Sequence, residues 1–163
     1  MSSYNSMNEK PTDKYIQFVS FRVGEEIYGI PVTRSREVLY LEKMSHIPDS
    51  ASFLKGVIDL RGILVPLVDL RTLFKLQAKD YDSDTVVIIS KISGTVTGFI
   101  ADAVLDVIML KQDEIQIMKS YTTESKKYII GMSKTNGSII LLLDVDRLLN
   151  SSELENITAV ASA

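Results

Sequence analysis

One block of this sequence is written twice, and any fold for the chain has to accommodate both copies. Gly56-x5-Gly62-x6-Asp69-Leu70-x2-Leu73 returns as Gly131-x5-Gly137-x6-Asp144-Val145-x2-Leu148, with the same spacing and no gap. Each copy reads as strand, turn, apolar strand and capped helix. The segments before them agree as well. Gly24, Gly29 and Glu37 in the first half answer Gly94, Gly98 and Asp106 in the second, and Gly29-to-Glu37 and Gly98-to-Asp106 each span eight residues. One residue of slippage lies between the glycines. Two matched blocks in the same order imply two similar halves, about 15–76 and 84–149.

The local pattern within each half is that of short strands. Residues 15–23 carry Ile16, Phe18 and Phe21, and Gly24-Glu25-Glu26 supplies a turn into 27–32. The apolar runs 56–60 and 63–68 are joined by Arg61-Gly62, and 85–92 and 95–101 by Ser93-Gly94. Residues 128–134 and 138–143 flank Thr135-Asn136-Gly137, where Asn-Gly is a strong hairpin signal. Residues 104–110 read as a further strand and the polar segment 111–127 as a loop or extension. Short helices are expected at 33–41, capped by Thr33, and at 69–76, 144–149 and 152–160, the last with Ser152-x-x-Glu155 as a capping box. Residues 1–14 are expected to form a disordered arm, 15–150 a single domain and 151–163 a tail with a short helix. The predicted fold is mainly β: two similar five-stranded, SH3-like β-barrel subdomains packed together, closed so that strand edges are not left open. Neither half has the alternating long helices of a parallel α/β sheet.

Composition removes most catalytic chemistry. The absence of cysteine excludes disulfides, thiolate nucleophiles and sulfur-bound metals, and His46, the only histidine, cannot build a multi-histidine metal site. Asp80, Asp82 and Asp84 resemble the start of a calcium loop, but Thr85 stands where glycine is needed and Lys91 where the closing glutamate belongs. No glycine-rich phosphate cradle or nucleophile elbow occurs, so neither an enzyme nor a cofactor is expected. Eighteen basic against 21 acidic residues give 18 − 21 = −3, the wrong sign for a nucleic-acid binder. The longest apolar runs, 63–68 and 139–143, fall far short of the roughly 20 residues of a membrane span. Residues 1–14 have no apolar stretch of the kind a signal peptide needs, so a cytoplasmic protein without membrane insertion is expected.

Several stretches carry a resemblance. Phe18-Val19-Ser20-Phe21, Glu26-x-Tyr28-Gly29-Ile30 and Arg36-Glu37-Val38 precede the run 55–71, KGVIDLRGILVPLVDLR. Together with Thr85-Val86-Val87-Ile88, Gly98-Phe99-Ile100-Ala101-Asp102 and the closing Asp144 and Leu148-Leu149, they resemble the CheW family of chemotaxis coupling proteins from about Tyr15 to Asn150. The resemblance implies a non-enzymatic adaptor. Such a protein joins the cytoplasmic tips of methyl-accepting chemoreceptors to the regulatory domain of the histidine kinase CheA, at the inner membrane. That domain is itself similar, so copies of the two alternate in rings within receptor arrays. A double-barrel domain sensing a small metabolite in the groove between the halves is the alternative from another class.

Position by position, the resemblance implies a receptor-facing set of Glu37, Gly56, Arg61, Gly62, Val86, Val87 and Gly98. It also implies a kinase-facing set of Val38, Met44, Lys55 and Tyr121, the last an aromatic used in ring contacts. Read from the residues alone, Gly56, Gly62 and Gly98 serve equally well as turn or close-approach glycines. Val86 and Val87 are neighbours in a strand, so one is expected to face the core and the other outward. Arg61 sits at a hairpin tip that has no need of arginine. Contact with a partner and internal pairing with Glu37 stand as compatible alternatives. Asp59, two residues earlier, either draws Arg61 aside or orients it.

Overall fold

Three of the hairpins turn on two residues with left-handed backbone. They are Arg61-Gly62 (φ +51° and +89°), Ser93-Gly94 (+48° and +86°) and Asn136-Gly137 (+51° and +81°). This geometry matches the twist of the strands it joins, which is why these dipeptides were readable as turns. The computed structural model of the chain describes residues 14–118 and 127–161. In chain order the strands are β1 (Tyr15–Val23), β2 (Glu26–Pro31), β3 (Glu37–Tyr40), β4 (Leu54–Leu60), β5 (Ile63–Asp69), β6 (Val86–Ile92), β7 (Thr95–Ala101), β8 (Ala103–Lys111), β9 (Gln116–Ile117), β10 (Ile129–Thr135) and β11 (Ser138–Leu143). Two α-helices join them, α1 (Leu70–Leu73) after β5 and α2 (Ser151–Ala161) near the end.

The strands form two sheets, one in the order β8-β1-β2-β11-β10-β9 and the other β3-β6-β7-β5-β4. The architecture is mainly β with few helices, as the repeat implied. The expected halves, however, do not each keep their strands in one sheet. The hairpin β1–β2 of the first half lies among the strands of the second, and β6–β7 of the second half lies among β3, β4 and β5 of the first. Aligning β1 to β6, β2 to β7 and the later strands by the repeat makes the two sheet orders match, with β9 as an extra strand on one, so the copies have exchanged their leading hairpins. The parallel contacts that seal the exchange correspond residue for residue: β2 meets β11 at Gly29 opposite Leu142, and β7 meets β5 at Gly98 opposite Leu67. Even the bulges repeat, between Leu54 and Gly56 and between Ile129 and Gly131.

The helix expected at 33–41 is not formed. A short 3-10 turn, Val32–Arg34, ends there, and β3 pairs with β6 from Glu37 opposite Ile89 to Tyr40 opposite Val86. An edge partner outcompetes the local preference, since β6 offers backbone groups that a lone short helix cannot match. Asp69 and Asp144 cap as the repeat predicts: their Oδ1 atoms accept from the N–H groups of Arg71 and Asp146, at 2.8 and 3.0 Å. The C-terminal capping box lies two residues before its expected place. Asn150 Oδ1 accepts from the Glu153 N–H, and Glu153 Oε1 from the Asn150 N–H, both at 2.8 Å.

Between the sheets lies a shared core to which both contribute, among them Phe21, Val23 and Leu143 from one and Val68, Val86 and Phe99 from the other. Helix α2 adds Ile157 to it. Burying side chains of this size contributes about 1.5–3 kcal/mol each. The opposite face of each sheet is covered as well, by Val65, Leu67, Val87, Ile89 and Ile100 in one and by Phe18, Leu110, Ile140 and Leu142 in the other.

Candidate functional site

The five-stranded sheet gathers ten of the eleven residues singled out from the sequence. Glu37 and Val38 lie in β3, Val86 and Val87 in β6, Gly98 in β7, and Lys55 and Gly56 in β4. Arg61 and Gly62 form the β4–β5 turn, and Met44 lies in the segment beside β4, against Gly56. The eleventh, Tyr121, lies outside the described residues.

Their surroundings divide them into a rim and a foundation. Val86 and Val87 are each 1% exposed, which corrects the expectation that one faces outward. They do point to opposite faces, but both faces are core: Val86 enters the shared core and Val87 the sheet's own. The unbroken apolar run of β6 is the signature of a strand covered on both sides. Gly98 and Gly56 are glycines of close approach. A Cβ on Gly98 would stand 2.6 Å from both Leu67 Cδ2 and Val87 Cγ1. A Cβ on Gly56 would stand 2.5 Å from the Ser45 carbonyl oxygen. That contact allows Ser45 to bridge Val57 through two backbone hydrogen bonds of 2.9 Å, adding one more rung beyond β4.

The rim is built differently. The Arg61 side chain is 71% exposed, and its Nη2 donates to Glu37 Oε1 across the edge of the sheet. Asp59 does not draw it aside: its Oδ1 accepts from the Gly62 N–H at 2.7 Å and so shapes the turn. With Leu60, Ile63 and Ile89, this pair borders a depression of about 440 Å³. A second, of about 740 Å³, is bounded by Met44, Ser45, Val57, Ile58, Asp59 and Tyr81.

Among the described residues, Arg61 shares left-handed backbone with Asp49, Lys75, Ser93 and Asn136, and it alone of these carries a planar fork of donors. A non-glycine residue in the left-handed region costs roughly 1–2 kcal/mol, whereas an exposed ion pair contributes about 0–1 kcal/mol. Glu37 therefore does not account for arginine at this turn. The repeat supplies the control, since the same position of the β10–β11 turn holds Asn136, which adopts this backbone readily. A strained residue with an exposed planar fork of donors points to use outside the chain.

Support for this sheet comes from a buried polar network that sequence reading missed. Arg71 Nε and Nη2 donate to Asp102 Oδ1 and Oδ2, both at 2.8 Å, and Arg71 Nη1 donates to the Gln77 carbonyl. Asp102 Oδ2 also accepts from the Gly24 N–H at 2.8 Å, and Tyr81 donates to Asp69 Oδ2 at 2.6 Å. Burial works against the charged form of Asp102, but Arg71 and the Gly24 N–H outweigh it and hold the carboxyl below its usual range. Burial and the hydrogen bond to Asp69 push the Tyr81 phenol well up. A signal was available in Asp69-Leu70-Arg71, where a cation two residues after a capping aspartate asks for a partner.

Among the described residues, no group of three or more histidines, aspartates or glutamates is placed to hold a metal ion, and His46 is exposed. The Asp82 side chain instead receives the Asp84 N–H at 2.8 Å, in a turn that leads into β6. Among those residues, no helix is long and apolar enough to cross a membrane.

Comparison with known proteins places these features in a family. Residues 17–153 match the family model of the CheW-like domain. The chemotaxis protein CheW of Klebsiella aerogenes is 32% identical over 148 residues, covering 90% of this chain and 89% of that protein. The CheW of Bacillus subtilis is 30% identical over 141 residues, covering 86% and 90%. The crystal structure of the scaffolding protein TtCheW from Thermoanaerobacter tengcongensis superposes with a TM-score of 0.78 at 30% identity, over 86% of this chain and 97% of that one.

Proposed function

Since the chain belongs to the CheW-like family of chemotaxis scaffold proteins, we propose that it is the non-enzymatic adaptor that couples chemoreceptor tips to the kinase CheA. The observation that carries this reading is Arg61, held in a costly turn conformation with its fork exposed above Glu37. Arg61, Glu37 and Gly62 form the receptor-facing rim. Gly56, Val86, Val87 and Gly98 act beneath it, fixing where β3 and the hairpin stand. The depression beside Met44 faces the kinase regulatory domain, with Lys55 and Val38 on the adjoining strands and Tyr121 in the ring contact.

Coupling of this kind needs contacts that differ between two receptor states, because a ligand shifts an equilibrium only by its differential affinity. A rim on a stiff sheet suits the task. The receptor meets Arg61 and Glu37 at the turn end of β4, and the kinase meets the Met44 depression farther along the same strand. Single copies bind weakly and act through multivalency in the array. The protein is then cytoplasmic, at the membrane only through its receptors.

The test is binding of the purified protein to a CheA regulatory domain and, separately, to a receptor-tip fragment, with Arg61→Ala and Tyr121→Ala alongside. Loss mainly of receptor binding for Arg61→Ala, with Tyr121→Ala altering only higher assembly, is the expected outcome. Failure of the unaltered chain to bind either partner contradicts the reading and directs attention to a small ligand.

A further inference from the structure

Among the described residues, the chain changes sheets twice, and an ion pair stands at each crossing. It leaves the six-stranded sheet after β2, through residues 32–36, and returns at Asp102 between β7 and β8. At the first crossing, Arg34 Nη1 donates to Asp146 Oδ2 at 2.6 Å, while Nη2 donates to Asp146 Oδ1 at 2.9 Å and to the Lys91 carbonyl at 3.0 Å. At the second, Asp102 receives the Arg71 fork described above.

These pairs stand at matching crossings of the repeat, with Arg71 on Asp146 residue for residue and Asp102 one place before the alignment partner of Arg34. Arg71 and Asp146 each lie two residues after a capping aspartate, Asp69 and Asp144. Arg34 and Asp102 each follow the strand that runs parallel to the strand ahead of that cap. Their polarity is reversed: the half with arginine after the cap meets aspartate at the crossing, and the half with aspartate after the cap meets arginine.

Two similar halves have a second arrangement open to them, in which each keeps its own leading hairpin. β2 would then lie beside β5 with Gly29 opposite Leu67, and β7 beside β11 with Gly98 opposite Leu142. The backbone geometry would be that of the observed sheets, and the apolar faces would match nearly as well. The charges would not. Arg34 would meet Arg71, and Asp102 would meet Asp146, each like against like in a site that now holds a forked pair. We propose that the reversed polarity of these two pairs selects the interleaved arrangement, by opposing the self-paired one as much as by stabilising the observed one.

Two double variants of the full chain separate this from ordinary ion-pair stabilisation. Arg34→Asp with Asp146→Arg keeps opposite charges facing in the interleaved fold but makes both contacts of the self-paired arrangement attractive. Arg34→Gln with Asp146→Asn removes charge from both arrangements. After rapid dilution from urea, the inverted variant is expected to leave at least about threefold more chain in a non-native pool than the neutral one, on chromatography and near-ultraviolet dichroism. Its native fraction unfolds no earlier in urea. Salt screens exposed charges, so adding it shrinks the pool of the inverted variant and enlarges that of the unaltered chain. If the inverted variant refolds as cleanly as the neutral one, or salt moves the unaltered chain's pool the other way or not at all, the proposal is overturned.

Discussion

The hairpins β4–β5 and β10–β11 follow one plan, with the same bulge, the same two-residue turn and the same capped helix start, yet they end in different chemistry. At the first left-handed position one carries Arg61 and the other Asn136. Asparagine is what the turn prefers on its own account; arginine is what a docking edge can use. The contrast extends to the ion pairs, where one copy is nearly buried, with the Asp102 side chain 9% exposed, and the other is open, with Asp146 at 56%. Duplication preserved the backbone plan, and the copies diverged where side chains meet solvent or a partner.

The largest expected effect comes from breaking the buried pair and comparing it with its open counterpart. Asp102→Ala leaves the Arg71 guanidinium without its fork and is expected to cost about 3 kcal/mol in urea unfolding, whereas Asp146→Ala costs about 0.5 kcal/mol. The pH dependence has a definite sign. Because the folded state holds the Asp102 carboxyl below its usual range, its stabilisation is complete above about pH 4 and is lost as pH falls from there through the lowered value. The deficit of Asp102→Ala relative to the unaltered chain should therefore be constant near neutrality and shrink below about pH 4.

Next in size is the pair of bulge glycines. Gly56→Ala forces a Cβ to within 2.5 Å of the Ser45 carbonyl, a backbone atom that cannot swing away. At Gly131 the nearest atoms are the Ile115 methyl at 3.0 Å and the Gln116 carbonyl at 3.1 Å, and the methyl can give. Thermal or urea unfolding should show about 2 kcal/mol lost for Gly56→Ala and about half that for Gly131→Ala. Equal costs would mean that the two bulges are equally tight.

Smallest is the exchange at the turns. Arg61→Asn relieves the left-handed strain and gives up an exposed ion pair, so it is expected to stabilise the fold by about 0.5 kcal/mol. Asn136→Arg imposes the same strain on the other hairpin and is expected to cost about 1 kcal/mol.

Much of this was legible because it is local. The three hairpin dipeptides, the capping aspartates and the repeat all declare themselves within a few residues, and the family match adds its weight to the site. What could not be read depends on partners distant in sequence. β3 looks helical between residues 33 and 41 because nothing nearby announces β6 as its neighbour. The exchange of hairpins leaves no local trace either, since β2 presents the same faces beside β5 or β11. The charges of Arg34, Arg71, Asp102 and Asp146 are what sets the two arrangements apart in the proposal above. Val86 and Val87 were readable in principle, because an apolar run without alternation signals a strand buried on both faces. Arg61 was identified from the sequence, while the conformational cost that gives it meaning appears only in the backbone.

The most direct measurement titrates a receptor-tip fragment against the unaltered chain and Arg61→Asn, with urea unfolding of both run in parallel. The expected result is a variant at least as stable as the unaltered chain that binds the fragment at least about tenfold more weakly, the loss of one forked, charge-assisted contact. Unchanged binding by an intact Arg61→Asn would contradict the account, leaving Arg61 as a partner for Glu37 and nothing more.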